Sequence, residues 1–257
     1  MVDTHAHIGM CDDEAGAIVA RARAAGVTRI LTVGLGEDSN PGAVELAREH
    51  EEVFACVGRH PNSATGFDAA AAEALRELAS DPAVVAVGET GLDFYRDGAP
   101  RADQLRAFRA QIEIAREAAK PLVIHMRSGA GPERDAVSAT LGVLSEEADG
   151  VRVILHCFSA PPERVAAAVE RGWACSFAGN ATYPKAPELR EAAALVPDEL
   201  ILVETDAPFL APQPKRGRPN EPAYVVETAR EVAAARAVTY EQLERQVEAN
   251  AARIFGW

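Results

Sequence analysis

The chain has 257 residues, of which 48% are hydrophobic and 25% charged, a composition typical of a soluble globular protein. Its formal net charge of −13 argues against a protein that coats duplex nucleic acid, because such proteins neutralise many phosphates with Lys and Arg. No run of about twenty apolar residues is present, so we expect neither membrane insertion nor export. The four cysteines form no CxxC pair, which favours a reducing cytoplasm.

Short apolar segments recur along the chain, each followed by a segment with helical spacing. In chain order, the predicted strands are Met1–Thr4, Arg29–Val33, Val53–Val57, Val84–Val87, Leu122–Ile124, Val153–Leu155, Ala174–Phe177 and Ile201–Val203. The predicted helices cover residues 12–25, 41–50, 68–79, 102–119, 132–148, 162–171, 186–195 and 222–235, with an additional helix near 240–249. The strands are apolar throughout, as in a parallel sheet buried on both faces. The pattern predicts a single-domain α/β protein, a (β/α)8 TIM barrel over residues 1–257, although an open doubly wound sheet also fits.

Potential metal ligands recur just after the predicted strands. Because the carboxyl ends of parallel barrel strands meet at one mouth, these residues are expected to converge there. His5 and His7 have the spacing that places both rings on the same side of an extended strand. The complete candidate set is His5, His7, Glu89, His125, His156 and Asp206.

This mixture of imidazoles and carboxylates suits zinc, manganese, iron or magnesium better than calcium, which prefers oxygen ligands. Six ligands exceed one tetrahedral site, so we expect two divalent ions. Such a pair can activate water and stabilise the oxygens of a phosphate ester during hydrolysis. In this hypothesis the catalytic residues are Glu89, which bridges the ions, and Asp206, which orients the attacking water and accepts its proton.

Seven sequence blocks, found in order over nearly the whole chain, resemble the TatD-type family of metal-dependent hydrolases in the amidohydrolase-like superfamily. They are VDTHAHI at 2–8, VGRHPNSA at 57–64, VGETGLDFY at 87–95, PLVIHMR at 121–127, LHCFSA at 155–160, SFAGNATYPKAPELR at 176–190 and LVETDAPFLAPQPKRGRPNEPAYV at 202–225. Two positions depart from the family pattern: Gly9 replaces a usual Asp, and Ser128 follows Arg127 where the family often has Asp. Both departures concern the expected substrate contacts rather than the ligands.

The resemblance implies two metal sites that share one carboxylate. The first would be formed by His5, His7, Glu89 and Asp206, and the second by Glu89, His125 and His156. It also implies a nuclease-like activity, for which 3′-to-5′ exonuclease action on DNA is the best described, with magnesium or another divalent ion as cofactor.

Other polar residues near the predicted mouth are candidate phosphate contacts, because guanidinium groups can form paired hydrogen bonds to phosphate. The candidate substrate-binding residues are His60, Arg96, Arg127, Lys215, Arg216 and Arg218. The arginines can instead pair with the abundant carboxylates, and His60 can be a structural turn residue. Asp3, Asp93 and Glu204 are candidates for orienting ligating imidazoles. No aromatic residue alternates with basic ones, so a stacking platform for single strands is not predicted.

We therefore predict a TatD-like deoxyribonuclease, a 3′-5′ exodeoxyribonuclease or phosphodiesterase that uses two divalent ions (Mg, Zn or Mn). Its expected substrates are DNA ends or small phosphate esters, and it is expected to be a cytoplasmic monomer without an obligate protein partner. One alternative is hydrolysis of a carboxyl ester, lactone or amide at the same site, because a fold does not determine the substrate. Another is a metal-binding scaffold without activity. The lack of a carbamylation-type lysine, with Glu89 as the expected bridge, favours the phosphoesterase.

Overall fold

The computed structural model of the chain describes residues 1–96 and 98–257, and it contains a parallel sheet of eight strands in sequential order. The strands are β1 (Val2–Ala6), β2 (Arg29–Val33), β3 (Val53–Val57), β4 (Val84–Asp93), β5 (Leu122–Arg127), β6 (Val153–Leu155), β7 (Ala174–Phe177) and β8 (Ile201–Val203). The backbone N–H of His7 donates to Ala207 O at 2.7 Å, and that of Asp206 donates to His5 O at 2.9 Å. These bonds join β1 to the segment after β8, so the predicted (β/α)8 barrel is confirmed over the open sheet.

Helices follow the strands and pack around the outside of the barrel. They are α1 (Ala15–Ala24), α2 (Asn40–Glu49), α3 (Ala69–Ala79), α4 (Arg101–Glu117), α5 (Ala136–Glu147), α6 (Val165–Glu170), α7 (Pro187–Leu195), α8 (Val225–Ala235) and α9 (Tyr240–Phe255). The predicted helices at 132–148 and 162–171 begin too early, because each starts with a proline-led 3-10 turn, Pro132–Arg134 or Pro162–Arg164. The last helix runs to Phe255, where Gly256 adopts a left-handed conformation and ends it.

Three strands extend further than their apolar segments suggest. β4 continues through a polar stretch to Asp93 because its far half pairs with β5, where Gly91 lies opposite His125. A Cβ at Gly91 would lie 2.0 Å from the carbonyl oxygen of His125, so only glycine permits this approach. As a result His5, Glu89 and His125 lie within strands rather than after them.

The core consists of apolar side chains from the strands and from the inner faces of the helices. Leu31, Leu92, Leu122, Ile30 and Phe177 are among the largest fully buried side chains. Burial of each such residue contributes about 1.5–3 kcal/mol relative to exposure. Among the described residues, no helix combines the length and the apolar character that crossing a membrane would require.

Candidate metal centre

The predicted ligands come together at the carboxyl-terminal mouth of the barrel, although they are up to 201 positions apart in sequence (5 to 206). Their nitrogen and oxygen atoms form three overlapping groups in which the atoms lie within 4.8 Å of one another. The groups are His5, His7 and Asp206; His5, Glu89 and His156; and His60, Glu89 and His125. The barrel therefore places every predicted ligand in at least one potential metal-binding group.

Glu89 lies at the centre of this cluster and directs its two carboxylate oxygens to different histidines. Its Oε2 lies 3.5 Å from His5 Nε2 and 3.7 Å from His7 Nε2. Its Oε1 lies 2.6 Å from His125 Nδ1 and 3.0 Å from His156 Nε2. One carboxylate thus faces two separate pairs of imidazoles.

Asp206 lies against the pair from β1. Its Oδ1 lies 3.5 Å from His7 Nε2 and 3.9 Å from His5 Nε2, and those two nitrogens are 3.3 Å apart. The left-handed backbone of Asp206, with φ of 56°, turns the chain sharply after β8. The side chains of Asp206 and His125 are 14% and 15% exposed, whereas that of His5 is fully buried, so the cluster is accessible at Asp206 and His125.

In His7 and His156 the ring nitrogen that faces away from the cluster donates a hydrogen bond, so the inner nitrogen is the one that can bind a metal ion. His7 Nδ1 lies 3.0 Å from the carbonyl oxygen of Val33, which can only accept, so Nδ1 carries the hydrogen. His156 Nδ1 likewise donates to Glu204 Oε1 at 2.9 Å. The same Glu204 oxygen accepts from the backbone N–H of Cys157 at 2.8 Å. Glu204 therefore orients His156, the role for which the sequence made it a candidate.

Asp93 plays the corresponding part for His125. Its Oδ2 accepts from His125 Nε2 at 3.2 Å and from Asn62 Nδ2 at 3.0 Å. Burial by itself would raise the pKa of Asp93, but the hydrogen bond from His125 and that from the Arg96 backbone outweigh it and lower the pKa. An ionised Asp93 therefore holds the His125 ring with its Nδ1 towards Glu89. The contribution of Asn62 was missed at the sequence level, where only its place in the GRHPNS block marks it.

Asp3 does not orient an imidazole as predicted. Its Oδ1 accepts from the backbone N–H of Thr205 at 2.9 Å, and its Oδ2 accepts from Thr205 Oγ1 at 2.6 Å. Burial raises the pKa of Asp3 to about 8. Because both oxygens are engaged by Thr205, Asp3 connects β1 to the segment after β8 and supports the site through the backbone.

The electrostatics of the cluster favour positive charge between the imidazoles and carboxylates. Burial would lower the pKa of His156, but Glu89 and Glu204 raise it well above its usual value. Burial would likewise raise the pKa of Glu89, but the charge of His156 and the hydrogen bond with His125 hold it well below the usual range. His5, in contrast, has a lowered pKa because burial and the neighbouring His156 disfavour its charged form.

These donors fit divalent metal ions. Nitrogen and oxygen ligands about 2.0–2.2 Å from one ion lie roughly 3–4 Å from each other, and the contacts among His5, His7, Asp206 and Glu89 Oε2 span 3.3–3.9 Å. The inner nitrogens face carboxylate oxygens, and such a contact needs positive charge between the two atoms, either a proton on the imidazole or a bound divalent ion. The outer hydrogen bonds of His7, His125 and His156 are those typical of metal-bound histidines.

His60 borders the cluster but is suited to donating a hydrogen bond. Its Nδ1 accepts from the backbone N–H of Asn62 at 3.1 Å, so the ring hydrogen is on Nε2. Burial lowers the pKa of His60 to about 3, which keeps the ring neutral. Its Nε2 lies 3.7 Å from Glu89 Oε1 and faces the same space as the predicted ligands.

Five cationic side chains predicted near the mouth have no carboxylate within 4.0 Å among residues 1–96 and 98–257. They are Arg96, Arg127, Lys215, Arg216 and Arg218. Three of these cations lie over tyrosine rings, at 4.0–5.1 Å from the ring centroids. The pairs are Arg127 with Tyr95, Lys215 with Tyr224 and Arg216 with Tyr183. The alternative that these cations pair with acidic residues is thus not realised in the described part of the chain.

Arg127 also borders a cleft of about 430 Å³ between the segments that follow β5 and β6. The cleft contains a second guanidinium, Arg164, whose Nη2 donates to Ser138 Oγ at 2.7 Å. Ser128, the residue that departs from the family pattern, lines the same cleft and accepts from the backbone N–H of Val137 at 3.2 Å. Its hydroxyl therefore helps to position the start of α5.

The comparisons with known proteins agree with this geometry. The family model described as TatD related DNase matches residues 2–256. The chain is 39% identical over 267 residues to an uncharacterized metal-dependent hydrolase, TatD, of Mycobacterium tuberculosis, and the match covers 100% of this chain and 98% of that protein. It is 35% identical over 250 residues to the 3′-5′ ssDNA/RNA exonuclease TatD of Klebsiella pneumoniae, covering 93% of this chain and 90% of that protein.

A solved structure supports the fold. YjjV, a TatD homologue from Escherichia coli K12, superposes with a TM-score of 0.91 at 24% sequence identity, covering 100% of this chain and 98% of that one. The family model and the relatives together cover nearly the whole chain, including all six predicted ligands. The chain therefore belongs to the TatD-related DNase family and is a metal-dependent hydrolase.

Proposed function

We propose that this hydrolase is a two-metal phosphodiesterase that removes nucleotides from the 3′ ends of nucleic acid strands. The observation that carries the proposal is the division of the Glu89 carboxylate between two pairs of imidazoles. In this assignment His5, His7 and Asp206 would hold one ion, His125 and His156 would hold the other, and Glu89 would be a ligand common to both. When bound, two divalent ions lower the pKa of a water molecule and stabilise negative charge on a phosphoryl group. Magnesium, manganese and zinc are the candidate ions.

Asp206 is the proposed proton acceptor. Burial by itself would raise the pKa of its carboxyl, but the hydrogen bond with His7 and the charge of His156 lower it. The carboxylate is therefore ionised at neutral pH and able to accept a proton. Its partial exposure makes it accessible to a water molecule and to substrate.

The surroundings of the cluster favour an anionic phosphate ester over a neutral lactone or amide. Arg127 has no carboxylate partner among the described residues and lies two residues beyond His125 on β5, a spacing that puts both side chains on the same face of the strand. The Nε2 hydrogen of His60 supplies a neutral donor beside the cluster. The name of the Klebsiella relative supports the direction of digestion and the single-stranded substrate. Because all proposed ligands come from one chain, we expect the monomer to be active.

Asp206→Asn tests this proposal. We expect the variant to lose roughly 10²- to 10⁴-fold in kcat on a single-stranded oligonucleotide, because an amide cannot accept the proton. When the parent digests a 5′-labelled strand, gel analysis should show a ladder of products that shorten by one nucleotide at a time. A strand whose 3′ end carries phosphorothioate linkages should give no such ladder.

Asp149→Asn is a matched control, because Asp149 is exposed and lies before β6, at the amino-terminal end of the strands. It should digest the strand at the parent rate. Circular dichroism should give the same spectrum for all three proteins. Parent-like turnover by Asp206→Asn would contradict the assigned role, and an inactive parent with two bound ions would contradict the phosphodiesterase activity itself.

A further inference from the structure

Large exposed hydrophobic side chains are concentrated at the mouth. Among the described residues they are Met10, Tyr95, Leu195 and Phe209. Met10, Tyr95 and Phe209 follow β1, β4 and β8 and therefore lie on the side of the metal centre, whereas Leu195 ends α7 at the opposite end of the barrel. Isolated exposed hydrophobics need no explanation, but three around one proposed catalytic centre point to a ligand with apolar surfaces.

The Phe209 ring is exposed although its backbone is firmly held. Its N–H donates to the carbonyl oxygen of Asp206 at 2.8 Å, and its own carbonyl accepts from Asn220 Nδ2 at 2.6 Å. The ring is 44% exposed and its centroid lies 6.1 Å from that of His7. An aromatic surface is thus fixed beside the proposed proton acceptor, and little conformational freedom is lost when a ligand packs on it.

Tyr95 has the same character on the other side of the mouth. Its N–H donates to Asp93 Oδ1 at 2.9 Å, which ties it to the carboxylate that orients His125. The Arg127 guanidinium carbon lies 4.0 Å from the ring centroid, and Tyr95 is still 58% exposed. A flat group that stacks here meets an aromatic ring and a cation that has no carboxylate partner in the described chain.

The order of the strands places these rings across the mouth from each other. In an eight-stranded sequential barrel β4 and β8 lie on opposite sides, so Tyr95 and Phe209, which follow them, lie on opposite sides of the mouth. A chain that reaches from one ring to the other passes Asp206 and His125, the partly exposed members of the cluster.

We propose that Phe209 and Tyr95 are the nucleobase-binding residues of this enzyme, one stacking with each of the two bases that flank the scissile phosphate. Arg127 then contacts the sugar–phosphate chain beside Tyr95. This inference rests on the proposed phosphodiesterase function and adds a requirement to it: the terminal bases must be unpaired, because the faces of bases within a duplex are already covered by their neighbours. The selection for single strands then comes from the protein surface and not from the metal centre.

The first test compares two oligothymidylate strands, one intact and one with abasic sugars in its two 3′-terminal positions. Phe209→Leu and Tyr95→Leu should each lower kcat/KM on the intact strand by roughly 5- to 150-fold, the range expected for loss of one stacked base. Neither substitution should lower the rate on the abasic strand below that of the parent. Tyr95→Phe, which keeps the ring, should recover most of the rate that Tyr95→Leu loses on the intact strand. Leu195→Ala, which removes an exposed hydrophobic far from the mouth, should match the parent on both strands.

The second test needs no catalysis. With the metals removed by EDTA, a strand carrying 2-aminopurine at its 3′ terminus or at the preceding position is titrated with protein, because stacking quenches the fluorescence of this base. The parent and Leu195→Ala should quench both probes, whereas Phe209→Leu and Tyr95→Leu should each lose the quenching of one position.

The outcomes separate the two proposals. Equal losses on the intact and abasic strands, or no loss on either, would overturn the stacking assignment while leaving the phosphodiesterase in place. A parent enzyme that hydrolyses neither strand with any of the candidate ions would overturn the phosphodiesterase and this inference with it. Unchanged quenching in both leucine variants would also overturn the assignment.

Discussion

At the scale of single residues, the proposed site depends on which nitrogen of each histidine carries a hydrogen. His7 donates outward to a backbone carbonyl, and His125 and His156 donate outward to carboxylates. In His60 the hydrogen is instead on the nitrogen that faces the cluster, Nε2, because its Nδ1 accepts a hydrogen bond. This difference distinguishes the proposed ligands from His60, a proposed substrate contact whose Nε2 lies 3.7 Å from a Glu89 oxygen, the same distance as His7 Nε2.

Glu204→Gln should weaken metal binding without unfolding the protein. The substitution removes the negative charge that accepts from His156 Nδ1 and from the Cys157 backbone N–H, so the ring is less well oriented and less basic. We expect the affinity for the proposed ion that His156 would hold to fall roughly 10- to 100-fold. Isothermal titration of the metal-free protein with Mn²⁺ measures this change. Glu199→Gln, an exposed position just before β8, should bind as the parent does, and equal affinities in all three would show that Glu204 has no part in binding.

At the scale of elements, the junction of β4 and β5 determines where the central carboxylate and one histidine are placed. The two strands pair from Val87 onwards, with a register shift between Val87 and Thr90. Gly88 and Gly91 have φ values of 136° and 135°, a region closed to most residues with side chains. Glu89 lies between these glycines, so its position follows from their conformations.

Gly91→Ala should destabilise the protein and impair the site together. The added Cβ would lie 2.0 Å from the carbonyl oxygen of His125, and the positive φ is itself unfavourable. We expect a loss of about 2–5 kcal/mol in the free energy of unfolding, measured by urea denaturation. Gly142→Ala provides the control, because nothing lies within 4 Å of a Cβ there and the residue is in the exposed part of α5. That change should stabilise the protein by about 0.5–1 kcal/mol, and a similar result for Gly91 would refute the packing argument.

The sequence was sufficient to place all eight strands, because each contains a buried apolar segment, and to identify the six residues that the barrel brings together. It did not predict the far halves of β4 and β5, since polar residues there resemble a loop until the paired strand is known. It also did not predict the pairing of Tyr95 with Arg127, because those residues are 32 positions apart (127 − 95) and meet only through the register of adjacent strands. Contacts of this kind depend on tertiary structure and have no local pattern.

At the scale of the whole molecule, burial keeps the thiol groups in their neutral form. All four cysteines are free thiols, and burial raises the pKa of Cys175 to about 12 and that of Cys11 to about 11. The pKa of the Cys175 thiol is therefore higher in the folded protein than in the unfolded one. The contribution of the buried neutral thiol to the free energy of unfolding is fully present below the unfolded pKa of 9.0 and is lost as the pH rises towards 12.

Native protein at about pH 8 should therefore react slowly with a disulfide reagent such as DTNB, because thiolate rather than thiol is the nucleophile. After denaturation in guanidinium, four equivalents should react at once, matching the four cysteines of the chain. Absorbance at the colour maximum of the released thiolate follows both phases. Fewer than four equivalents in the denatured state would contradict the free thiols, and rapid reaction of the native protein would contradict their raised pKa values.

The hydrogen bonds that close the barrel link residues at the end of the first strand to residues just after the last strand. Asp206 donates to His5, and His7 donates to Ala207, so the proposed ion-binding pocket and the closure of the barrel are formed by the same contacts. During synthesis, a growing polypeptide that has not yet reached β8 already carries most of the ligands but lacks the residue that completes them. The proposed ligand set of His5, His7 and Asp206 is therefore completed late, when the last strand docks beside the first, and an incomplete polypeptide does not assemble the whole reactive centre.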